Sequence, residues 1–309
     1  DVWGTRWFFA RDRTNLPAAR NMVRNTMVRL AMGEHLWIND PDCLILREDV
    51  PLDEARALAT VAAMSAGSLI LSDNLQEMVP ERLALLECLV PPLPRPAEDV
   101  RLLAPEIPTL LATSLQPKPS VDESSWSLVS LFSWPEGDAA PDEMVELPVA
   151  VPEGEAPTEW HVFEFWSGSY ELLATAHGRP LIRPRRAVPG RCTCQLLAVR
   201  RVDRARAQFV GSNVHVSCGL ELGSFGQSSC GAGCGPSALT FSIEAGRVVS
   251  APEVWLSLPG AAAGPPVLSC ASLDGAVEAT PVRVSGDVWR LALPSVGMQG
   301  ARAEFRVEW

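Results

Sequence analysis

The sequence predicts a multidomain chain of two characters, an α/β segment at the start and an all-β segment after it. Three observations carry this. Over roughly the first ninety residues, apolar positions recur at helical spacing in three stretches, with short apolar runs between them. From Trp126 onward the helical period disappears, and short extended runs follow one another between Gly and Pro. Between the two lies a Pro-dense stretch, residues 91–119, which reads as a connector.

In the first segment, residues 17–32 place Ala19, Met22, Val23, Met27 and Leu30 at helical spacing, with Arg20, Arg24 and Arg29 elsewhere around the turn. Pro17 suits a first helical turn. Leu36-Trp37-Ile38 is a short apolar run, read as a buried strand. Residues 53–66 predict a second helix, with Asp53 and Glu54 placed to favour the positive end of its dipole. Ser68-Leu69-Ile70-Leu71 predicts a second buried strand. Residues 80–90 predict a third helix facing inward through Leu83, Leu86 and Leu89 or Val90, and Pro91-Pro92 stops it. Helix, strand, helix, strand, helix is the tail of an α/β repeat with a parallel sheet. Two strands, with a strand end at Asp1, are too few to close a barrel.

In the second segment, residues 126–134, 159–166, 170–174, 194–200, 239–243, 254–258, 282–284, 288–293 and 303–309 read as extended. The last two alternate with period two, as half-buried antiparallel strands do. Turn signals at intervals of about ten residues suggest one or two antiparallel β-sandwiches. Alternating Arg and Asp at 202–208 marks a boundary between them. The predicted division is 1–92, 93–119, 120–202 and 203–309.

Composition narrows the function classes. Apolar residues make up 47% of the 309, enough to build sizeable cores. The net charge of -11 repels phosphate backbones and anionic lipid surfaces, so neither nucleic acid nor a membrane is an expected partner. No run approaches the roughly 18 consecutive apolar residues of a membrane helix. Neutral sugars are compatible with the charge, and ten Trp could serve sandwich cores or sugar platforms equally. Asp1-Val2-Trp3-Gly4 has neither an initiator Met nor a signal-peptide layout, which reads as a start in mid-protein, so no compartment is assigned. Cys192-x-Cys194 and Cys230-x3-Cys234 lack zinc-ribbon spacing, and free thiols are the expected state of the second pair. His35, His161, His177 and His215 are far apart in sequence, and core or surface roles are expected of them rather than metal ligation. No metal and no organic cofactor is called for.

Two segments could carry chemistry. Leu36-Trp37-Ile38-Asn39-Asp40-Pro41-Asp42-Cys43 reads as a strand running into a turn with two carboxylates. At the C-terminal strand ends of a parallel α/β sheet, carboxylates are candidates for binding sugar hydroxyls or stabilising charge. An ordinary Asx-Pro turn is the other reading, and both stay open on chemistry alone. Ser68 to Leu71 runs likewise into Ser72-Asp73-Asn74-Leu75, where bracing of the strand ends is the favoured role of Asp73.

These segments carry a family resemblance. Trp37-Ile38-Asn39-Asp40-Pro41-Asp42-Cys43 resembles the strand-seven motif of the α-galactosidase (melibiase-like) clan of glycoside hydrolases, W-x-N-D-P-D followed by Cys or Met. Ser72-Asp73-Asn74-Leu75 with Pro80-Glu81-Arg82 resembles its strand-eight S-D-D-L and P-E-R, with Asn74 departing from the second Asp. Arg24-Asn25-Thr26 resembles the R-N-T/A of the preceding helix. Val162-Phe163-Glu164-Phe165-Trp166-Ser167-Gly168 resembles a segment of the clan's C-terminal sandwich. Order and spacing match over roughly the first 200 residues.

The resemblance implies the C-terminal part of a (β/α)8 barrel, about strands six to eight, followed by one or two β-sandwiches. It implies a retaining enzyme acting on terminal α-galactosides through a covalent glycosyl intermediate, with two carboxyl groups about 5 Å apart. The family's nucleophile lies in a K-x-D pattern that does not occur in this sequence, so the chain alone is expected to be inactive. Asp1 aligns with the family's acid/base. By family position Asp42 and Cys43 bind substrate, while Trp37, Asn39, Asp40 and Asp73 support the site. The alternative is a non-catalytic remnant, or a β-sandwich module that binds carbohydrate or a partner. Such a chain would expose an open parallel edge and apolar surface. An oligomer is compatible with either.

Overall fold

The computed structural model describes residues 19–99, 109–133, 144–149, 159–175, 178–185, 192–228, 237–245, 248–261, 264–270, 280–295 and 303–309. In chain order they form α1 (Ala19–Met27), a 3-10 turn (Leu30–Met32), β1 (Cys43–Leu44), α2 (Leu52–Ser65), β2 (Ile70–Leu71) and α3 (Pro80–Glu87). Strands follow: β3 (Glu98–Asp99), β4 (Leu110–Leu115), β5 (Trp126–Ser133), β6 (Val145–Glu146), β7 (Glu159–Glu164), β8 (Ser169–Ala174), β9 (Leu181–Ile182), β10 (Thr193–Arg201) and β11 (Gln208–Ser212). The last are β12 (Leu222–Ser228), β13 (Ala238–Ile243), β14 (Glu253–Ser257), β15 (Val267–Cys270), β16 (Val282–Ser285), β17 (Val288–Ala292) and β18 (Ala303–Glu308). The architecture is sheet-rich, and among the described residues no sheet closes into a barrel.

The chain divides into two compact units. The first comprises residues 1–114, 127–156 and 175–197, and the second 115–126, 157–174 and 198–309.

In the first unit, β1 and β2 pair in parallel, Cys43 with Ile70 and Leu44 with Leu71, and α2 connects them. Parallel neighbours need such a crossover, and a helix supplies it. α2 is buried on nearly every side: Ala55, Leu58, Val61 and Met64 are enclosed, and so are Glu54 and Thr60. Its small residues let the surrounding chain approach from all directions. Ala66 ends it in the left-handed conformation. α3 begins at Pro80, where a missing N–H costs no hydrogen bond. The Arg82 guanidinium is buried and donates from Nη2 to the Val50 carbonyl at 2.9 Å, so the arginine of Pro-Glu-Arg braces the loop before α2. The same unit holds the strand order β3-β4-β5-β10. β5 is buried along nearly all its length, and so is the part of β10 within this unit.

In the second unit two antiparallel four-stranded sheets, β11-β14-β17-β16 and β12-β13-β18-β15, contribute to one core. Phe209, Leu256 and Leu291 point inward from the first sheet, and Phe225, Phe241 and Phe305 from the second. Phe241 and Phe305 are direct cross-strand partners and stack with ring centroids 5.3 Å apart. β18 alternates as its sequence predicts, with Phe305 and Val307 buried between exposed Glu304 and Arg306. β7 and β8 form an antiparallel hairpin in this unit.

The structure corrects several expectations. Leu36-Trp37-Ile38 is not a buried strand: Leu36 is 71% and Ile38 78% exposed. Glu34 takes a positive φ of 65°, and its N–H bonds to the Trp37 carbonyl, so the chain turns there instead of extending. The strand begins only at Cys43. Asp40 and Asp42 therefore precede β1 rather than standing at its C-terminal end. The stretch read as a connector contains β3 and β4. Cys230, Cys234 and His177 lie outside the described residues.

Candidate functional site

Residues of two of the first unit's motifs line one open cleft of about 450 Å³. Asn25, Thr26 and Arg29 line one side, and residues 37–42 line the other. Asn25 and Arg29 are four apart in sequence, the spacing that puts side chains on the same helical face, although Arg29 lies just past the end of α1. Asn25 and Thr26 belong to the Arg-Asn-Thr segment read above. Arg29 was not singled out, and its i+4 relation to Asn25 is the signal that could have found it.

The opposite wall is built on Asn39. Its side chain is 6% exposed, and Nδ2 donates to the Ser65 carbonyl at 3.0 Å. Oδ1 accepts from the Trp37 indole Nε1 at 3.2 Å. The Asn39 carbonyl accepts from Ser68 N–H. Two glycines make room for it. A Cβ on Gly33 would lie 2.3 Å from Asn39 Nδ2, and one on Gly67 would lie 1.9 Å from the Asn39 carbonyl oxygen. Asn39 is thus held between the turn after α1 and the end of α2.

The next three residues form the polar turn. Asp40 Oδ1 accepts from the Asp42 N–H at 2.9 Å, an Asx turn closed across Pro41. Asp42 sits at φ 67°, a conformation that Asp tolerates better than most residues. Its own Oδ1 accepts from the Cys43 N–H at 2.7 Å. That backbone hydrogen bond holds the Asp42 carboxyl below its ordinary pKa, so it is ionised at neutral pH. Asp40 and Asp42 are both exposed. The turn is therefore the Asx-Pro turn of the second reading, and Asp40 and Asp42 line the cleft from it.

The remaining site residues fall elsewhere. Cys43 is half-buried at the start of β1, and the cleft lining stops one residue short of it. Asp73 is away from the cleft. Its Oδ2 accepts from the backbone N–H groups of Leu46 and Arg47, tying the chain after β2 to the chain after β1. Asp1 lies outside the described residues.

The cleft lining combines donors, acceptors and an aromatic ring. Arg29 and Asn25 offer donors, the Asp40 and Asp42 carboxylates offer acceptors, and Trp37, 44% exposed, offers an apolar face. Among the described residues no group of three or more His, Cys, Asp or Glu side chains is arranged to hold a metal ion.

The second unit contains a serine–histidine–acid grouping that the sequence did not suggest. His215 Nδ1 lies 2.7 Å from Ser217 Oγ, and that hydroxyl lies 3.2 Å from Glu221 Oε2. All three residues are at most 4% exposed. Glu221 also accepts from the Gly219 N–H and the Ser212 hydroxyl. A nucleophile must reach its substrate, and this serine is enclosed, so the cluster knots the 212–221 turn together.

The Val-Phe-Glu-Phe-Trp-Ser-Gly segment has a structural account in the same unit. It ends β7 and turns into β8, and the Glu164 carboxylate accepts from the N–H groups of Trp166 and Ser167 at 3.1 and 2.9 Å. Among the described residues no helix is long and apolar enough to cross a membrane. No known protein-family model matches the chain.

Proposed function

We propose that this chain contributes to an α-galactosidase-like retaining glycoside hydrolase, supplying the barrel portion around strands six to eight and the β-sandwich structure after it. In this reading α2 connects the two chain segments that carry the strand-seven and strand-eight motifs, and the polar turn of the first stands before β1 rather than after it. The cleft on residues 37–42 binds the hydroxyls of a terminal α-galactoside.

One observation supports the reading above the others. The Arg-Asn-Thr helix and the Trp-Ile-Asn-Asp-Pro-Asp turn, recognised as separate motifs, line the same cleft. An ordinary surface turn has no need of a donor-bearing helix opposite it. Two carboxylates that line one cleft with Asn25 and Arg29 can divide the work of a sugar-binding site between acceptors and donors. Asp42 is ionised at neutral pH and suits an acceptor of hydroxyl hydrogen bonds. The nucleophile of the double displacement would come from a K-x-D strand, which this sequence does not contain.

The test is calorimetric titration of the chain with methyl α-galactoside, and with methyl α-glucoside for comparison. Saturable binding of the galactoside, weakened about ten-fold or more in Asp42→Ala, is the expected result. Absence of saturable binding at millimolar sugar overturns the sugar-site reading. It would leave the sandwich as an interaction module.

A further inference from the structure

Within the proposed sugar site, and resting on that reading, we propose that Asn39 is a positioning residue that acts through Trp37. It sets the orientation of the indole so that the ring receives the apolar face of the bound galactoside.

Trp37 is 44% exposed and lines the cleft, yet it belongs to no regular strand that would hold it. An exposed aromatic on a turn can sample several rotamers. A platform that samples several positions loses affinity each time a ligand must order it. What restrains this ring is a hydrogen bond from Nε1 to Asn39 Oδ1 at 3.2 Å.

Asn39 can impose that restraint because it is itself immobile. Its amide donates to the Ser65 carbonyl at the end of α2. Its backbone carbonyl accepts from Ser68. Gly33 and Gly67 press so close that neither could carry even a methyl group without displacing it. The Ser65 bond also fixes which end of the amide faces Trp37: the nitrogen is committed to the carbonyl, so the oxygen is left for the indole N–H. A buried side chain with both amide ends committed is a rigid support for a half-exposed ring.

An arrangement made only to stabilise the fold would need the bond to Ser65 but not the one to Trp37. This difference makes the inference testable. A double-mutant cycle on Asn39→Ala and Trp37→Phe would be measured with methyl α-galactoside as the probe. Phe keeps an aromatic face but has no N–H to give Asn39. Trp37 would also be followed by the fluorine resonance of 5-fluorotryptophan-labelled protein, assigned by its loss in Trp37→Phe.

If Asn39 acts through the indole, Asn39→Ala weakens binding about five-fold or more in the wild-type background, and the effect largely disappears in the Trp37→Phe background. The Trp37 resonance shifts on adding sugar and broadens in Asn39→Ala. An equal loss in both backgrounds overturns the inference, because a purely structural residue weakens binding whichever ring is present. If Asn39→Ala does not fold, Trp37→Phe alone decides: the inference requires about a two-fold or greater loss from removing the N–H, and unchanged affinity overturns it. Absence of any sugar response, from Trp37 or by calorimetry, is failure of the sugar-site reading itself and overturns both.

Discussion

The guanidinium of Arg200 lies over the ring of Trp126, its central carbon 4.2 Å from the ring centroid. Both residues reach into the same turn. Trp126 Nε1 donates to the Ser217 carbonyl at 2.8 Å, and Arg200 Nη2 donates to the Cys218 carbonyl. Arg200 is 3% exposed, and burial lowers its pKa, while the acids Glu123 and Glu221 support the charged form. Removing one member of a buried charged group leaves the others uncompensated. Arg200→Ala is therefore expected to destabilise the protein by about 3–5 kcal/mol, measured by urea unfolding. Arg200→Lys keeps the charge but loses the planar stack on Trp126, and is expected to recover only part of the loss.

His161 predicts an acid limb of stability. It is 2% exposed, with Nδ1 2.9 Å from the Tyr170 hydroxyl. Burial disfavours the imidazolium, the side chains of Gln208 and Glu159 oppose that, and the Arg200 and Arg204 cations reinforce it. The result is a pKa lowered to about 4. A folded-state pKa below the unfolded one gives stability that is present above about pH 6.5 and lost as the pH falls through about 4, a stake of about 3 kcal/mol. Urea midpoints at about pH 7.5 and about pH 4.5 should differ less in His161→Gln than in the wild type. Equal pH slopes in the two proteins would refute the assignment.

The hairpin between β7 and β8 should depend on Glu164 and Gly168. Glu164→Ala strands the Trp166 and Ser167 N–H groups, at a cost of about 1–3 kcal/mol. Gly168 sits at φ 65°, and a Cβ there would lie 3.2 Å from the Trp255 ring. Gly168→Ala should cost about 1–2 kcal/mol, read as a lower melting temperature.

Asp73 should matter to the fold and not to the cleft. Asp73→Ala leaves the Leu46 and Arg47 N–H groups without their acceptor and is expected to cost about 1–3 kcal/mol in urea unfolding. Galactoside affinity of the folded variant should stay within about two-fold of the wild type. A large affinity loss with unchanged stability would place Asp73 in the site instead.

The Asp42 carboxyl sets a pH signature for the proposed sugar site. Its pKa is held below the ordinary 3.8 by the Cys43 N–H, so the acceptor stays charged through mild acid. Galactoside affinity should be flat from about pH 8 to about pH 5. A fall centred near pH 6 would assign the binding to a histidine instead.

The local elements were legible where one physical cause dominated. Helical spacing, Pro at a first turn and acids near the start marked α2 and α3 to within a few residues, whereas the first helix, read as far as Met32, ends at Met27. Period-two alternation marked β17 and β18, because one face of each looks into a core. The hidden elements were those whose sequence says one thing while their surroundings impose another. β4 lies among prolines that made its neighbourhood read as a connector. β12 carries Gly223 and Gly226, residues that weaken a strand, and is held by its pairing with β13 on either side of an irregularity at Gly223. Leu36-Trp37-Ile38 erred the other way: three apolar residues read as buried, although the turn at Glu34 leaves them exposed.

For the site, the sequence by itself determined the chemical groups: two acids around a proline, an asparagine and tryptophan before them, and a helix bearing Arg-Asn-Thr. It also determined the turn, because Asp40 and Asp42 bond to backbone groups within two residues of themselves. Only the tertiary structure decided that helix and turn share a cleft, that Arg29 belongs to it, and that Asp73 does not. The reason is range. An Asx turn is closed by bonds between near neighbours, which a local reading can see. The placement of Asn39 depends on Ser65, 26 residues away, and on two glycines that touch it only when the chain has folded.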